Sequence, residues 1–245
     1  MSNEVIKSIQ SHRSIRKFLD KRVEEEHVEQ IIKSAQCAPT TRHMQAYTII
    51  RVNDKNARQD IAKTCGKEFI TNCPLFLMFC PDLRRIKEAC GKHGYDFQTE
   101  YMNYFIIATV DATLAAQNAA LAAESLGLGT VYIGGLRNDL DKICERLNIP
   151  EYVYPLVGLT IGYPGEDVDI KPRLPMDVVY KTDSYSTANE EKKLEEYDQL
   201  MTEYYAKRTQ GQKHDSWTQK IAAEMESEKR PDMRDFLNKM GLAEK

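Results

Sequence analysis

The chain has 245 residues, enough for one large domain or two small ones, and its 42% hydrophobic and 29% charged residues are typical of a soluble globular protein. A formal net charge of -3 argues against general nucleic-acid binding, which needs a basic face. The N-terminus lacks the apolar core of a signal peptide, and the six cysteines include no C-x-x-C pair. We therefore expect a cytoplasmic protein with reduced thiols, without structural zinc or disulfides.

Hydrophobic periodicity and the positions of proline and glycine predict an alternation of helices and strands. The predicted elements in chain order are a helix over 3–11, a helix ending near Pro39, a strand over 47–52, a helix over 55–64, a buried strand over 75–80, a helix over 100–126, a strand over 130–133, a helix over 139–147, a strand over 156–161, and helices over 190–207 and 216–228. This order indicates an α+β fold with a mixed central sheet. We expect a single domain with a core of residues 1–184 and a helical extension of residues 185–245.

The long helix predicted over 100–126 is apolar on almost every side. It is rich in alanine and is interrupted by Asp111, Gln117 and Asn118. We therefore expect a buried helix, either central or against a partner subunit, and no membrane span.

Three segments combine cations or glycines in a way that suits one ligand. His12–Arg16 brings two guanidinium groups and the hydroxyl of Ser14 together, and such a cluster can bind phosphate. Val131–Gly135 is a strand that ends in a glycine pair, where the backbone can approach a ligand closely. Lys171–Arg173 adds two cations. By itself the first segment is most often a solvated turn, and the second is as often an ordinary strand end, but together they predict a site for a phosphorylated, anionic, planar cofactor.

Other site chemistry is not indicated. There is no P-loop and no G-x-G-x-x-G motif, so a Rossmann nicotinamide domain is not predicted. No Ser-His-Asp or Cys-His arrangement and no metal-ligand spacing is evident, and we assign no catalytic residue and no metal. The loop after Pro39 is either a plain helix stop or a place where the Thr40 hydroxyl binds a ligand, and His43 is interpreted as a loop histidine.

The order of four motifs resembles the nitroreductase superfamily. These are His-Arg-Ser-Ile-Arg, a Ser/Thr-rich loop before a glutamine and a strand, the block Ala-Glu-Ser-Leu-Gly-Leu-Gly-x-Val-Tyr-Ile-Gly-Gly, and Lys-Pro-Arg-Leu-Pro. The similarity runs from about residue 4 to the end of the chain, and it is closest to the NADPH-dependent, oxygen-insensitive nitroreductase and flavin reductase branch.

This resemblance implies a homodimeric α+β protein with FMN at the subunit interface. It also implies a ping-pong cycle in which NAD(P)H reduces FMN and a nitroaromatic, a quinone, an azo dye or a free flavin is reduced in turn. In this comparison Ser14 serves the phosphate, and Arg16 serves the N1/O2 edge of the ring. The residues that the resemblance assigns to FMN are His12, Arg13, Ser14, Arg16, Thr40, Tyr132, Ile133, Gly134, Gly135, Lys171 and Arg173.

Two further positions carry weaker implications. Where relatives usually have a glutamine after a glycine pair, this chain has Cys65-Gly66-Lys67, so Lys67 either pairs with the negative charge of reduced flavin or points to solvent. Arg208 matches a family arginine that binds the 2′-phosphate of NADPH.

Two alternatives remain open at the level of sequence. The same cations would suit a flavin-binding sensor or carrier without turnover. A third reading is an FMN enzyme of another nitroreductase-like branch, with residues 84–104 as a short lid, because Gly91, Gly94 and Tyr95 look loop-like.

Overall fold

The computed structural model describes residues 3–98, 101–227, 229–243 and 245. The chain forms two compact units, which are residues 1–168 with 230–245 and residues 169–229. Glu100 and Glu228, at the ends of two predicted helices, lie outside the described residues. The second unit begins at Asp169, and residues 230–245 belong to the first unit; the predicted single domain with a core of residues 1–184 and an extension of residues 185–245 stays a prediction.

The first unit is built on an antiparallel sheet of β1 (Tyr47–Arg51), β2 (Leu75–Pro81), β3 (Gly129–Ile133) and β4 (Val157–Gly162). Its strand order is β1-β2-β4-β3. Every residue of β2 is buried, as its continuous apolar run predicts. In the described residues, the parallel part of the predicted mixed sheet is limited to one bridge between Ser14 and Thr130. The predicted α+β class is confirmed.

Helices flank this sheet and form most of the second unit. In chain order they are α1 (Glu4–Gln10), α2 (Glu25–Gln36), α3 (Lys55–Cys65), α4 (Phe69–Asn72), α5 (Arg84–His93), α6 (Met102–Ser125), α7 (Leu140–Leu147), α8 (Met176–Val179), α9 (Glu190–Arg208), α10 (Trp217–Glu226) and α11 (Met233–Lys239), with short 3-10 helices at Thr41–His43 and Gly134–Asn138. Several begin at a side chain that accepts a backbone N–H, such as Asp54 before α3 and Asp139 before α7. The bounds of α1, α2, α3, α6, α7, α9 and α10 agree closely with the predicted elements, whereas α4, α5, α8 and α11 were not predicted.

Helix α6 packs against α2 and the sheet through a face made largely of alanine. Asp111 is fully buried on this helix. By length and composition α6 could also cross a membrane. Its outer side is apolar as well, because Ile106, Val110 and Leu114 are exposed at intervals of four residues. The expected burial is therefore confirmed for one face, and the other face is an exposed apolar stripe.

The expectation that residues 84–104 are loop-like is wrong for residues 84–93, and whether this segment acts as a lid stays a prediction. Residues 84–93 form α5, which contains Gly91, and Arg84 pairs with Glu88 one turn later at 2.7 Å. Gly94 ends the helix in the left-handed conformation with φ of 71°. The glycines that suggested a loop are thus a tolerated helix residue and a helix end.

The second unit has its own small apolar cluster. Tyr197, Met201 and Tyr204 on α9 are buried, and Leu174, Tyr205 and Trp217 pack against them. Helix α10 begins at Ser216, whose hydroxyl accepts the N–H of Gln219 at 3.3 Å. This cluster fixes α9, which carries Arg208 at its last position.

Candidate functional site

The backbone of the segment His12–Arg16 lies along the start of β3. The N–H of Ile15 donates to the carbonyl of Thr130 at 2.9 Å, and the Ile15 side chain is buried. A Cβ atom on Gly129 would lie 2.6 Å from Cγ1 of Ile15, so only glycine permits this close approach. Because side chains alternate along an extended segment, Ser14 and Arg16 face away from the core.

The side chains of this segment are not equivalent. Nδ1 of His12 lies 2.7 Å from Oε1 of Glu124, and Arg13 pairs with Asp167 at 3.1 Å. The guanidinium of Arg16 is exposed and donates to the carbonyl of Ser14 at 3.1 Å, and it has no carboxylate partner among the described residues. Arg16 is therefore the cation of this segment that is available to an anionic ligand.

Glu124 ties this segment to both α6 and β3. The same oxygen that contacts His12 also accepts the hydroxyl of Thr130 at 2.7 Å. An ionised carboxylate only accepts hydrogen bonds, so the contact requires His12 to carry a proton on Nδ1. The network fixes the ring of His12 and places the phosphate-binding candidates at a defined edge of the sheet.

The predicted glycine turn follows at the other end of β3. After Ile133 the chain enters the 3-10 helix Gly134–Asn138. A Cβ on Gly135 would lie 3.0 Å from Cα of Cys65, so the turn packs directly on the end of α3. Tyr132 is partly exposed, and its hydroxyl donates to Gln117 at 3.3 Å. The strand thus carries the cationic segment at its start and a close-packed glycine turn at its end.

Lys67 lies beside that turn. Gly66 ends α3 in the left-handed conformation with φ of 60°, and the N–H of Lys67 donates to the carbonyl oxygen of Ala62 at 2.9 Å. Lys67 is exposed and forms no ion pair within the described ranges. Lys67 follows Cys65, which packs on Gly135, by two residues, and its contact with the ring stays a prediction.

The loop after α2 has an unusual backbone. Arg42, His43 and Gln45 have positive φ values of 50°, 57° and 51°, a region that side-chain-bearing residues rarely adopt. Asp111 accepts the N–H of Thr41 at 3.0 Å and that of Ala46 at 3.1 Å. Thr40, the predicted ligand contact, directly precedes this braced stretch and is half-buried.

Two arginines near the glycine turn were missed by sequence reasoning. Arg230 donates to the carbonyl of Gly134 at 3.4 Å and to Oδ1 of Asn138 at 2.9 Å. Arg137 lies near the same glycine, since a Cβ there would be 3.3 Å from its Nη2. Burial, with a smaller contribution from Arg230, lowers the pKa of Arg137. Neither arginine pairs with a carboxylate in the described part of the chain. The sequence Gly-Gly-Leu-Arg-Asn could have indicated Arg137, but no local pattern indicates Arg230.

The second unit holds the remaining predicted cations. Arg208 donates to the hydroxyl of Tyr204 at 2.9 Å, and Arg173 donates to the carbonyl of Lys171 at 3.4 Å. The ammonium of Lys171 lies 5.4 Å from the ring centre of Tyr205. These three cations have no carboxylate partner among the residues described for this unit. Their chemistry suits phosphate groups.

The donor set fits a phosphorylated ring ligand. The segment 12–16 pairs with the start of β3 and the turn 134–135 follows its end, where Cys65 and Arg137 adjoin the turn. Lys171, Arg173 and Arg208 are described only within the second unit. This combination of an α+β fold, a guanidinium without a carboxylate partner among the described residues and a glycine turn beside two further arginines suits proteins that bind an anionic ligand.

The chain belongs to the nitroreductase family. The model of the nitroreductase family matches residues 9–77 and 68–163, and that of the nitroreductase family C-terminal domain matches residues 171–245. The chain is 36% identical over 245 residues to FMN reductase (NADPH) of Bacillus subtilis, covering 98% of each. It is 36% identical to the oxygen-insensitive NADPH nitroreductase of Salmonella typhimurium, covering 95% of each. The structure of NfrA1 of B. megaterium superposes with a TM-score of 0.95 at 41% identity, over 98% of this chain and all of that one.

Proposed function

We propose that the chain is an FMN-dependent NAD(P)H oxidoreductase that reduces nitroaromatics, quinones or free flavins. When bound, FMN supplies the ring that takes a hydride from NAD(P)H and passes two electrons to the acceptor in a ping-pong cycle. The observation that carries the proposal lies at the two ends of β3, where the segment bearing the available guanidinium of Arg16 pairs with the start of the strand and a close-packed glycine turn follows its end. The names and full-length similarity of the relatives support the same activity.

The residues of this chain would bind and orient the cofactor rather than transfer protons. In the first unit Ser14 would bind the phosphate, and in the second unit Lys171 and Arg173 carry cations whose chemistry also suits phosphate. Arg16 would hold the anionic edge of the reduced ring, and its lack of a carboxylate partner in the described residues supports that role. Gly134 would offer backbone to the ring where a side chain would obstruct it. His12 and Arg13 are engaged by carboxylates and would act mainly by holding the segment in place.

The remaining cations would bind the reductant and the acceptor. Arg208 carries a guanidinium at the end of α9, which suits the 2′-phosphate of NADPH and favours NADPH over NADH. Arg137 and Arg230 would attract electron-rich groups of the nucleotide or the acceptor beside the ring. Since the two arginines repel one another, an anionic or electronegative ligand would stabilise both.

The protein would act as a homodimer. The stripe Ile106, Val110 and Leu114 on α6 is exposed among the described residues, and so are Val5 and Ile9 on α1 of the same unit. A second copy that covered this surface would bury it as a two-fold interface. Sedimentation of the full chain tests this, because Val110→Lys should yield monomers if the stripe is the interface, and an unchanged species would contradict it.

We place the protein in the cytoplasm. All six cysteines are free thiols, and four of them are buried. That usage fits a reducing compartment, where disulfides are rare.

The test is flavin uptake followed by turnover. The purified chain should take up FMN with a yellow spectrum and oxidise NADPH in the presence of menadione or nitrofurazone. Failure to take up FMN would refute the proposal. Bound FMN without acceptor-dependent turnover would instead favour a sensor or carrier.

A further inference from the structure

The fully buried carboxylate of Asp111 in the first unit is not among the residues assigned to FMN or NADPH. Asp111 lies within the apolar helix α6, and its two oxygens accept the N–H groups of Thr41 and Ala46 at 3.0 and 3.1 Å. A buried charge is costly unless it is well paired. Here the two charge-assisted hydrogen bonds offset that cost, and both go to one short loop.

The loop needs such support because its backbone is strained. Three of the four residues from Arg42 to Gln45 have positive φ, and such residues cost free energy that the surroundings must supply. The two bonds from Asp111 fall on either side of this stretch. Arg85 contacts the same stretch from another direction, since it donates to the carbonyl of Gln45 at 3.4 Å. The loop is thus held at its N–H groups and at a carbonyl.

Helix α6 holds the connection from α2 to β1 through two side chains, Asn118 and Asp111. Asn118 lies seven residues after Asp111, hence on the same side of the helix, and donates to the carbonyl of Ser34 near the end of α2 at 3.1 Å. Asp111 then holds the loop that follows α2. The connection from α2 to β1 is therefore attached to one rigid helix at successive points.

We propose that Asp111 is a positioning residue that holds the loop 40–46 in the conformation that presents Thr40 to the cofactor, before the cofactor binds. This inference rests on the proposed FMN site. An isosteric Asn at this position has one oxygen for two N–H groups, and its own amide N–H would oppose the second. The loop would then open, and cofactor binding would have to order it again.

Two measurements on the full-length protein test the proposal. In the wild type freed of flavin, the amides of Thr41 and Ala46 should be protected from hydrogen exchange, and Asp111→Asn should speed their exchange while the amide of Ile31 in α2 stays protected. The Kd for FMN should rise at least about tenfold in Asp111→Asn, which corresponds to about 1.4 kcal/mol. Ala119→Gly is the matched control, because it weakens the same helix without touching the loop and should leave the Kd within about twofold of wild type.

The outcomes distinguish a failure of the proposed FMN-dependent activity from a failure of the positioning role of Asp111. A wild type that does not bind FMN refutes the proposed function, whereas the exchange result on Thr41 and Ala46 is read without any flavin. Fast exchange of these amides in the wild type overturns the positioning role, even if Asp111→Asn fails to fold. Wild-type FMN affinity in Asp111→Asn overturns it as well. A Kd that rises equally in Ala119→Gly would mean that Asp111 acts only through the stability of the helix.

Discussion

Replacing Glu124 by alanine should destabilise the protein measurably. The change removes the hydrogen bonds of one carboxylate oxygen to Nδ1 of His12 and to the hydroxyl of Thr130, both at 2.7 Å. A hydrogen bond to a charged group contributes about 1.5–3 kcal/mol, and the side chains of His12 and Glu124 are partly exposed, so the lower end applies to each. The loss is then about 3 kcal/mol, which for a chain of this length lowers the melting temperature by roughly 6–12 °C.

Calorimetry at fixed protein and FMN concentrations measures this shift, because bound flavin itself raises the melting temperature. Thr130→Val is the matched control, since it keeps the shape and removes only one of the two bonds, and it should cost about half as much. FMN affinity should fall in Glu124→Ala as well, because the ring of His12 would no longer be fixed beside Ser14. A melting temperature within about 2 °C of wild type would refute the reasoning that this network holds the segment to the sheet.

Arg208→Ala should raise KM for NADPH at least about tenfold and leave KM for NADH nearly unchanged, because only NADPH carries the 2′-phosphate; steady-state kinetics with both nucleotides measures this, and equal effects would remove the assigned role. Gly135→Ala should lower the FMN content per chain and cost about 1–3 kcal/mol of stability, since its Cβ would lie 3.0 Å from Cα of Cys65; full FMN content by absorbance would contradict the close packing of that turn. Burial raises the pKa of Cys65, Cys73 and Cys144 to about 12 and also raises the pKa of Cys80. Because the thiolate is the reactive form, these four cysteines should resist iodoacetamide at mildly alkaline pH in the folded protein and react after unfolding. Mass spectrometry counts the adducts, and rapid labelling of Cys65 in the folded state would show that the end of α3 opens.

Local patterns were sufficient for the four strands and for the longer helices, because each is signalled by a few neighbouring residues, but not for α5 or for the short helices α4, α8 and α11. Proline after α2, the buried run of β2 and the glycines after α6 all act within one element. The loop-like interpretation of residues 84–93 failed because Gly91 and Gly94 were weighed as loop residues, although one glycine fits inside a helix and the other ends it.

The site was only partly predictable, since its remaining parts depend on contacts between distant positions. Asp111 was visible as an interruption of an apolar helix, but its partners Thr41 and Ala46 lie 70 and 65 residues away. Glu124 was noticed only as part of a family motif, and its contact with His12 spans 112 residues. No short-range pattern specifies such pairs. The assigned FMN and NADPH contacts remain predictions until a ligand is bound.

On the alanine face of α6, substitutions should destabilise the protein almost entirely by adding volume to the core. Ala112, Ala115 and Ala119 are fully buried between the sheet and α2, and alanine is already the smallest side chain that helices favour. Truncation, the usual source of cavities in a core, has almost nothing to remove. Almost every substitution on this face must therefore add volume, so failures should come from crowding and displaced neighbours. Suppressors of such failures should be sought as smaller residues on α2 or β2, facing the enlarged side chain.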